Sequence, residues 1–290
     1  MYAVLPLLLV GAAVTSKDAG MAFPDWPTSD SHFLNPPGWL QDGKKFWEHG
    51  HRLIGWTVGM LAIAATVSCW SMGGAARAIA LSTLGAIVVQ GVLGGLRVRE
   101  VSTDLAMIHG IWGQACFCLA CTLALVTSRA WVESAHGLPA RASVFFQRGC
   151  LVALICTFVQ LVLGAAYRHF GNAHALAAHL VWAVVVILVL SWLAFWTLEQ
   201  YSGQRMLAPL GKLLAVLIGV QVLLGGLAFL VTVMGGAWPA TLQWAAPSAH
   251  VVVGAMMLAC VLALTLSAYH MLRSAEGAPG EVPTVQAALS

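Results

Sequence analysis

Four histidines in this sequence share one setting. His51, His109, His179 and His250 each head an apolar run, ending at Trp70, Ser128, Leu198 and Tyr269, and every run is about 20 residues, enough to cross a hydrocarbon core of about 30 Å. A lone histidine at such a place is a snorkelling or hydrogen-bonded interfacial residue. Four at equal depth suggest a shared task. Imidazole ligates metals, and two rings facing each other at matched height from neighbouring helices hold haem iron from both sides. Two pairs then imply two haems. Zinc draws three or four ligands to one point, which one histidine per helix serves poorly. On the third run His174 competes with His179 and lies about 140° round a helix from it. Equal run lengths favour His179.

The first histidine has reactive neighbours, in Trp47-Glu48-His49-Gly50-His51-Arg52. On a helix Glu48 and His51 share a face, so the carboxylate would sit beside whatever His51 binds. Partly desolvated at the membrane edge, Glu48 is a candidate catalytic group that accepts protons or stabilises developing positive charge, with Arg52 pairing either to a haem propionate or to Glu48 itself. The plain alternative is an interfacial Glu48–Arg52 pair that anchors the helix. The matching stretch from Ala173 to Leu180 has neither acid nor arginine. The functional reading is a substrate site at the first pair and a fixed cofactor at the second.

The elements that carry these residues are membrane spans. Of 290 residues, 60% are hydrophobic and 9% charged, with mean hydropathy +0.84, whereas a soluble domain carries roughly 25% charged residues. The net charge of +3 is spread over scattered Lys and Arg, which excludes the basic patch of a nucleic-acid binder. Seven stretches qualify as spans, near 52–72, 78–96, 108–128, 149–167, 176–198, 210–233 and 249–270. An eighth, Tyr2 to Ser16, reaches only about 22 Å. It reads as a first helix and not a signal peptide, because no Lys or Arg precedes it. The seven cysteines (Cys69, Cys116, Cys118, Cys121, Cys150, Cys156 and Cys260) lie in or beside apolar runs and read as small packing residues. Seven Lys/Arg residues fall on each side of the spans, so the positive-inside rule leaves orientation open.

An internal repeat organises the spans. Gln90-Gly-Val-Leu-Gly94-Gly95, Gln160-Leu-Val-Leu-Gly164-Ala165 and Gln221-Val-Leu-Leu-Gly225-Gly226 mark the third, fifth and seventh helices, with a trace in Leu7 to Ala12 of the first. Their small residues would allow close helix approach. The expected fold is therefore an all-α integral membrane protein of eight transmembrane helices. They form two tandem four-helix bundles, 1–130 and 148–273, related by a pseudo-twofold axis along the membrane normal. A polar linker, 131–147, joins them, and a disordered tail, 274–290, follows.

These motifs resemble a known family, the haem A synthases of cytochrome oxidase assembly. Pro24-Asp25-Trp26-Pro27 and Glu48-His49-Gly50-His51-Arg52-Leu53 are the specific elements, extended by Leu93-Gly94-Gly95-Leu96-Arg97 and Met107-Ile108-His109-Gly110, with echoes at His179 and at Ser248-Ala249-His250. The resemblance implies an inner-membrane enzyme that oxidises a ring methyl of its substrate, haem O, to the formyl group of haem A, with a bound haem b for electron transfer. Carried over, His51 and His109 bracket the substrate haem, Glu48 is the catalytic carboxylate, His179 and His250 ligate haem b, and the histidine face is extracytoplasmic. Partners would be haem O synthase and oxidase assembly factors; the electron acceptor is not identified. Some relatives carry a cysteine pair in the loops of this face, and the segment from Lys17 to Lys45 has none. A di-haem electron-transfer protein, quinol-linked and without haem-modifying activity, needs the four histidines but not Glu48. A transporter would show mid-span charges, absent from these runs.

Overall fold

In a computed structural model, residues 2–134 and 140–276 are described, and all their regular elements are helical. In chain order these are α1 (Val4–Ser16), α2 (Gly43–Ser68), α3 (Gly74–Arg99), α4 (Thr103–Val126), the short α5 (Arg129–Glu133), α6 (Ala140–Phe170), α7 (Ala173–Gln200), α8 (Leu207–Met234), a 3-10 turn at Gly235–Ala237, and α9 (Ala240–Glu276). Starts are set by polar caps. Asp42 accepts the amides of Lys44 and Lys45 ahead of α2, Ser102 that of Leu105 ahead of α4, and Asn172 that of Ala175 ahead of α7. Each satisfies amides that a helix end leaves open. At Gly73 the backbone enters α3 with φ +69°, a region that favours glycine.

Among the described residues six helices are long and apolar enough to cross a bilayer: Gly74–Arg99, Thr103–Val126, Val144–Phe170, Ala173–Gln200, Leu207–Ala237 and Ala240–Met271. The protein is thus a multi-pass helical membrane protein. α1 is apolar but only 13 residues long, and α2 is longer than the stretch expected from 52 because it starts in the polar segment at Gly43. Of the expected linker 131–147, residues 131–133 belong to α5 and α6 begins at Ala140, because its first turn is polar and escapes a hydropathy reading. Residues 135–139 of that linker, and the tail from 277, lie outside the described residues. Large apolar side chains such as Val181, Leu188 and Phe195 on α7 and Val216 and Leu223 on α8 face outward, an arrangement suited to lipid and not to water.

Packing follows the chain. α1 lies on α2, α2 on α3, α3 on α4 and α4 on α1; α6 lies on α7, α7 on α8, α8 on α9 and α9 on α6. α9 also packs on α1 and α4, and α4 on α6. This makes α9 the central helix: 56% of its spanning window is buried, against at most 28% in the other five. One α9 face, with Val261 and Leu264, joins a core with Phe146, Leu190 and Leu214; another, with Ala255 and Leu258, joins one with Val58 and Phe117. All seven cysteines are free thiols and six are buried, in keeping with a packing role.

Close helix approach at α6–α7 rests on Gly149, where an added Cβ would meet the Trp192 ring at 2.5 Å, whereas nothing lies within 4 Å of such an atom at Gly91 on α3. Gly149→Val is expected to lower stability by about 1–3 kcal/mol through overpacking, and Gly91→Ala to be neutral or slightly stabilising. Unfolding of the two variants in detergent, compared with the parent, checks this.

Candidate functional site

The structure sets His51 opposite His109 and His179 opposite His250. Ring centres are 6.4 Å and 6.3 Å apart, with interplanar angles of 78° and 79°. Each histidine sits in the first turns of its helix, against a glycine in the later turns of a neighbour. An added Cβ would lie 2.8 Å from the His51 ring at Gly11, 3.0 Å from His109 at Gly94, 2.8 Å from His179 at Gly164 and 3.0 Å from His250 at Gly225. The glycines admit an imidazole where any side chain would collide. This sharpens the sequence reading, in which small residues served helix approach alone. His174 is exposed at the start of α7, so it is His179 that meets His250.

The surroundings of the rings recur as well. Gln90 donates to the His109 carbonyl at 3.1 Å and touches His109 Nε2 at 3.3 Å; Gln160 does the same to His179 at 3.1 and 3.4 Å. Gln221 reaches His250 Nε2 at 3.4 Å. Three residues beyond each of two histidines, Trp112 donates to the Ala86 carbonyl and Trp182 to that of Cys156, both at 2.9 Å. His51 has no glutamine, since Leu7 stands at the corresponding place. All four histidine Nδ1 atoms are buried without a partner in hydrogen-bonding geometry. Each ring nonetheless lies near a backbone carbonyl of the facing helix, that of Leu7, Gln90, Gln160 or Gln221, so the four rings repeat one buried setting. Two imidazoles are too few for a bare ion, and no group of three or more His, Cys, Asp or Glu suited to one occurs among the described residues. The donor set fits a metal that brings its own equatorial ligands.

Both pairs lie at one end of the helices. Arg168 at the end of α6 donates to Ala12 and Ser16 of α1 at 2.7 and 2.8 Å, and Ser16 contacts Ser248 of α9. Lys17 lies over Trp47 and Trp244, whose rings are 5.1 Å apart.

Over the first pair the segment 17–42 is folded onto α2 by a polar network. Glu48 Oε2 accepts the amides of Ala22 and Phe23 at 2.6 and 3.2 Å, and Oε1 accepts Arg52 at 2.6 Å. Arg52 also donates to the carbonyls of Phe23, Asp25 and Thr28. The two side chains are 4% and 11% exposed. Glu48 is therefore a loop anchor in this conformation, and Arg52 is spent on Glu48 and backbone. His49, which the motif reading passed over, is a second anchor: buried against Trp39, it pairs with Ser29 Oγ at 2.9 Å and the Leu34 carbonyl at 3.1 Å. Asp25 receives Thr28 and the amides of Asp30 and Ser31. Burial raises its pKa, but these bonds outweigh it and bring the carboxyl down to about 2. Trp26 lies over Gly95, which has no room for a Cβ beneath the ring, so the loop reaches the helix that faces His109.

Two arginines and a histidine also stand near the rings without being predicted from the sequence. Arg97 donates to the Gly20 carbonyl at 2.9 Å and is within electrostatic reach of His51, His109 and His169. His169 would approach a Cβ at Gly110, next to His109, at 3.6 Å. Their signal was present, since Arg97 and Arg168 follow Gly94 and Gly164 by three and four residues.

No family model matches the chain. A stretch of 117 residues is 31% identical to a protein of Azorhizobium caulinodans named Heme A synthase; the match covers 37% of this chain and 34% of that protein. The chain is thus similar, over about a third of that protein's length, to a haem A synthase.

Removing Glu48 leaves Arg52 buried without its carboxylate and two amides without acceptors. Glu48→Ala should cost about 3–5 kcal/mol and open the 17–42 segment to protease, while Glu48→Gln, which keeps acceptors, should do so less. Limited proteolysis in detergent reads both. Because the folded pKa of Asp25 is depressed, its support of the loop is full above the ordinary value of 3.8 and is lost as pH falls toward about 2. Proteolysis with an acid protease should therefore show a protected loop at pH 4 to 5 and lose that protection only with further acidification, and Asp25→Asn should be unprotected throughout.

Proposed function

We propose that the chain is a haem A synthase: an inner-membrane oxidoreductase that converts a ring methyl of haem O to a formyl group at the His51–His109 site. A resident haem b would be held by His179 and His250. The observation that carries this reading is the spacing of the two ring pairs. Metal–imidazole bonds of about 2 Å on either side of one iron, plus about 1 Å from each nitrogen to its ring centre, separate the centres by about 6 Å. The similarity to a protein named Heme A synthase supports the same reading.

Eight crossings in two halves, 1–130 and 148–273, are the architecture proposed, with α1 and α2 completing the first. Its support is the pair of closed packing circuits, α1 to α4 and α6 to α9, and the recurrence of glycine, glutamine and tryptophan around successive histidines. The histidine face would be extracytoplasmic, where haem O synthase and oxidase assembly factors deliver substrate and take product.

Haem b, when bound, would pass the electrons removed from the methyl, one at a time, to an outside acceptor, with water supplying the formyl oxygen. The chain supplies position. Gly11, Gly94, Gly164 and Gly225 let the rings stand at a fixed height, and Gln90 and Gln160 hold the helix backbone at His109 and His179. The segment 17–42 covers the first site and restricts water. Glu48, one turn before His51, is the group proposed to accept protons released at the methyl carbon. To do so it must exchange the amides of Ala22 and Phe23 for a proton, so loop opening and proton acceptance are coupled through one carboxylate.

That commitment of Glu48 to the loop favours one other reading, a di-haem b electron-transfer protein in which Glu48 is purely structural. The two readings part on product. Expressed with haem O in a host that lacks haem A, the parent should yield extractable haem A alongside haem b, and Glu48→Ala should retain haem b and lose haem A. Haem b alone from folded parent protein would leave the electron-transfer reading. Histidine roles separate in the same preparation: His179→Ala and His250→Ala should each abolish the low-spin haem b spectrum, and His51→Ala and His109→Ala should leave it.

A further inference from the structure

Arg97 and Arg168 are cations without counter-ions. Neither has a carboxylate within ion-pair distance among the described residues, where the pairs found are Lys44–Asp18, Lys45–Asp30 and Arg52–Glu48. Both are half-buried. Arg97 spends one bond on Gly20, and the carboxylate within its electrostatic reach, Glu48, is already paired to Arg52. Arg168 spends its bonds on the neutral Ala12 carbonyl and Ser16 hydroxyl. A cation drawn from water without compensation is destabilising, and ionisable groups at membrane depth mark function and not packing.

Their placement selects the anion. Arg97 lies three residues after the glycine that faces His109, and Arg168 four after the glycine that faces His179. At 1.5 Å per residue each guanidinium-bearing residue is about 4.5–6 Å further along its helix than its ring pair, toward the end where α3 and α6 leave the apolar zone. Arg97 acts electrostatically on His51 and His109, and Arg168 on His250. His169, a further basic group, is within electrostatic reach of both arginines. Each ring pair therefore has on its polar side a guanidinium that bonds only neutral groups and has no carboxylate partner among the described residues. A planar group ligated between the rings, with its apolar edge toward lipid, would turn its ionised edge that way.

We infer that Arg97 and Arg168 each hold a carboxylate of the haem bound at the neighbouring histidine pair, fixing which edge of the macrocycle enters the membrane. The inference rests on haem ligation by those pairs. For the substrate site it fixes orientation, since the carboxylate edge pinned by Arg97 decides which ring methyl is presented beside Glu48. Of the two partners the sequence allows Arg52, a propionate or Glu48, the structure shows Glu48, and with the loop it occupies the Arg52 donors.

The test uses the full chain, purified free of haem in detergent and titrated with ferric protoporphyrin IX or with its dimethyl ester, following the low-spin Soret band. The parent should bind the diacid at least about ten-fold more tightly than the ester, the loss typical of a charge-assisted hydrogen bond. Arg97→Leu and Arg168→Leu should each reduce that preference, the double variant should erase it, and Arg97→Lys with Arg168→Lys should restore most of it. The parent comparison needs no variant to fold. Equal binding of diacid and ester with a normal low-spin band overturns the inference while leaving histidine ligation intact, and assigns the arginines to lipid phosphate. A low-spin band with neither compound overturns ligation and the inference together.

Discussion

Everything at the histidine end depends on one steric exchange: an imidazole on one helix takes the volume a side chain would fill on the next. The four glycines that permit it tolerate no Cβ without a shift of the ring, and interiors are packed too tightly to absorb such a shift elsewhere. The exchange also fixes height. A ring lodged against a glycine cannot slide along the helix, so opposed rings stay at one level and their separation stays near 6.4 and 6.3 Å. Gln90 and Gln160 act on the backbone of the same residues, and α9, central among the helices, sets His250 at the height that its packing on α1, α6 and α8 dictates.

How far this was legible in the sequence varies with the kind of interaction. Apolar runs of equal length behind four histidines revealed helices and candidate ligands, because bilayer thickness and helix rise leave little freedom. The Gln-x-x-x-Gly pattern was visible, but its meaning was not: a glycine read as a helix contact is a socket for a ring, and only the opposing helix shows which. The polar turns at the starts of α2 and α6 carried helix beyond the hydropathic limits. Glu48 and Arg52 were recognised as a pair, yet their main partners are backbone amides and carbonyls of residues 22–28, groups that every residue possesses and no sequence distinguishes. His49 was hidden for the same reason. Arg97 closes one of the quoted motifs and Arg168 is one of the charges flanking the spans, but their role was hidden, since an absent counter-ion is a property of space.

The two ring pairs differ in how they are closed. Over His179 and His250 the connections are short: Gly171 and Asn172 join α7 to α6, and the turn at Gly235–Ala237 with Pro239 leads into α9. Over His51 and His109 lies the long segment 17–42, tied to α2 by Glu48, His49 and Arg52 and ordered internally by Asp25. Its ties are hydrogen bonds and two ion pairs, Lys44–Asp18 and Lys45–Asp30, at a water-facing end. Such bonds exchange with water at little net cost, whereas apolar packing of the kind around Leu190 and Leu264 does not reopen without exposing surface.

A site that admits a substrate and releases a product of nearly the same shape needs a cover that opens; a site that keeps its cofactor is better without one. On the proposed function, the long segment over the first pair suits the substrate site and the short connections over the second suit the cofactor site. The same carboxylate that closes the cover is the acid–base candidate nearest the first pair along its helix. Gaining a proton would weaken the bonds of Glu48 to the amides of Ala22 and Phe23 and to Arg52, because a neutral acceptor bonds less strongly than a charged one. On the proposed function, proton uptake at Glu48 and loosening of the loop would be one event, linking completion of the oxidation to release of its product through the geometry of a single side chain.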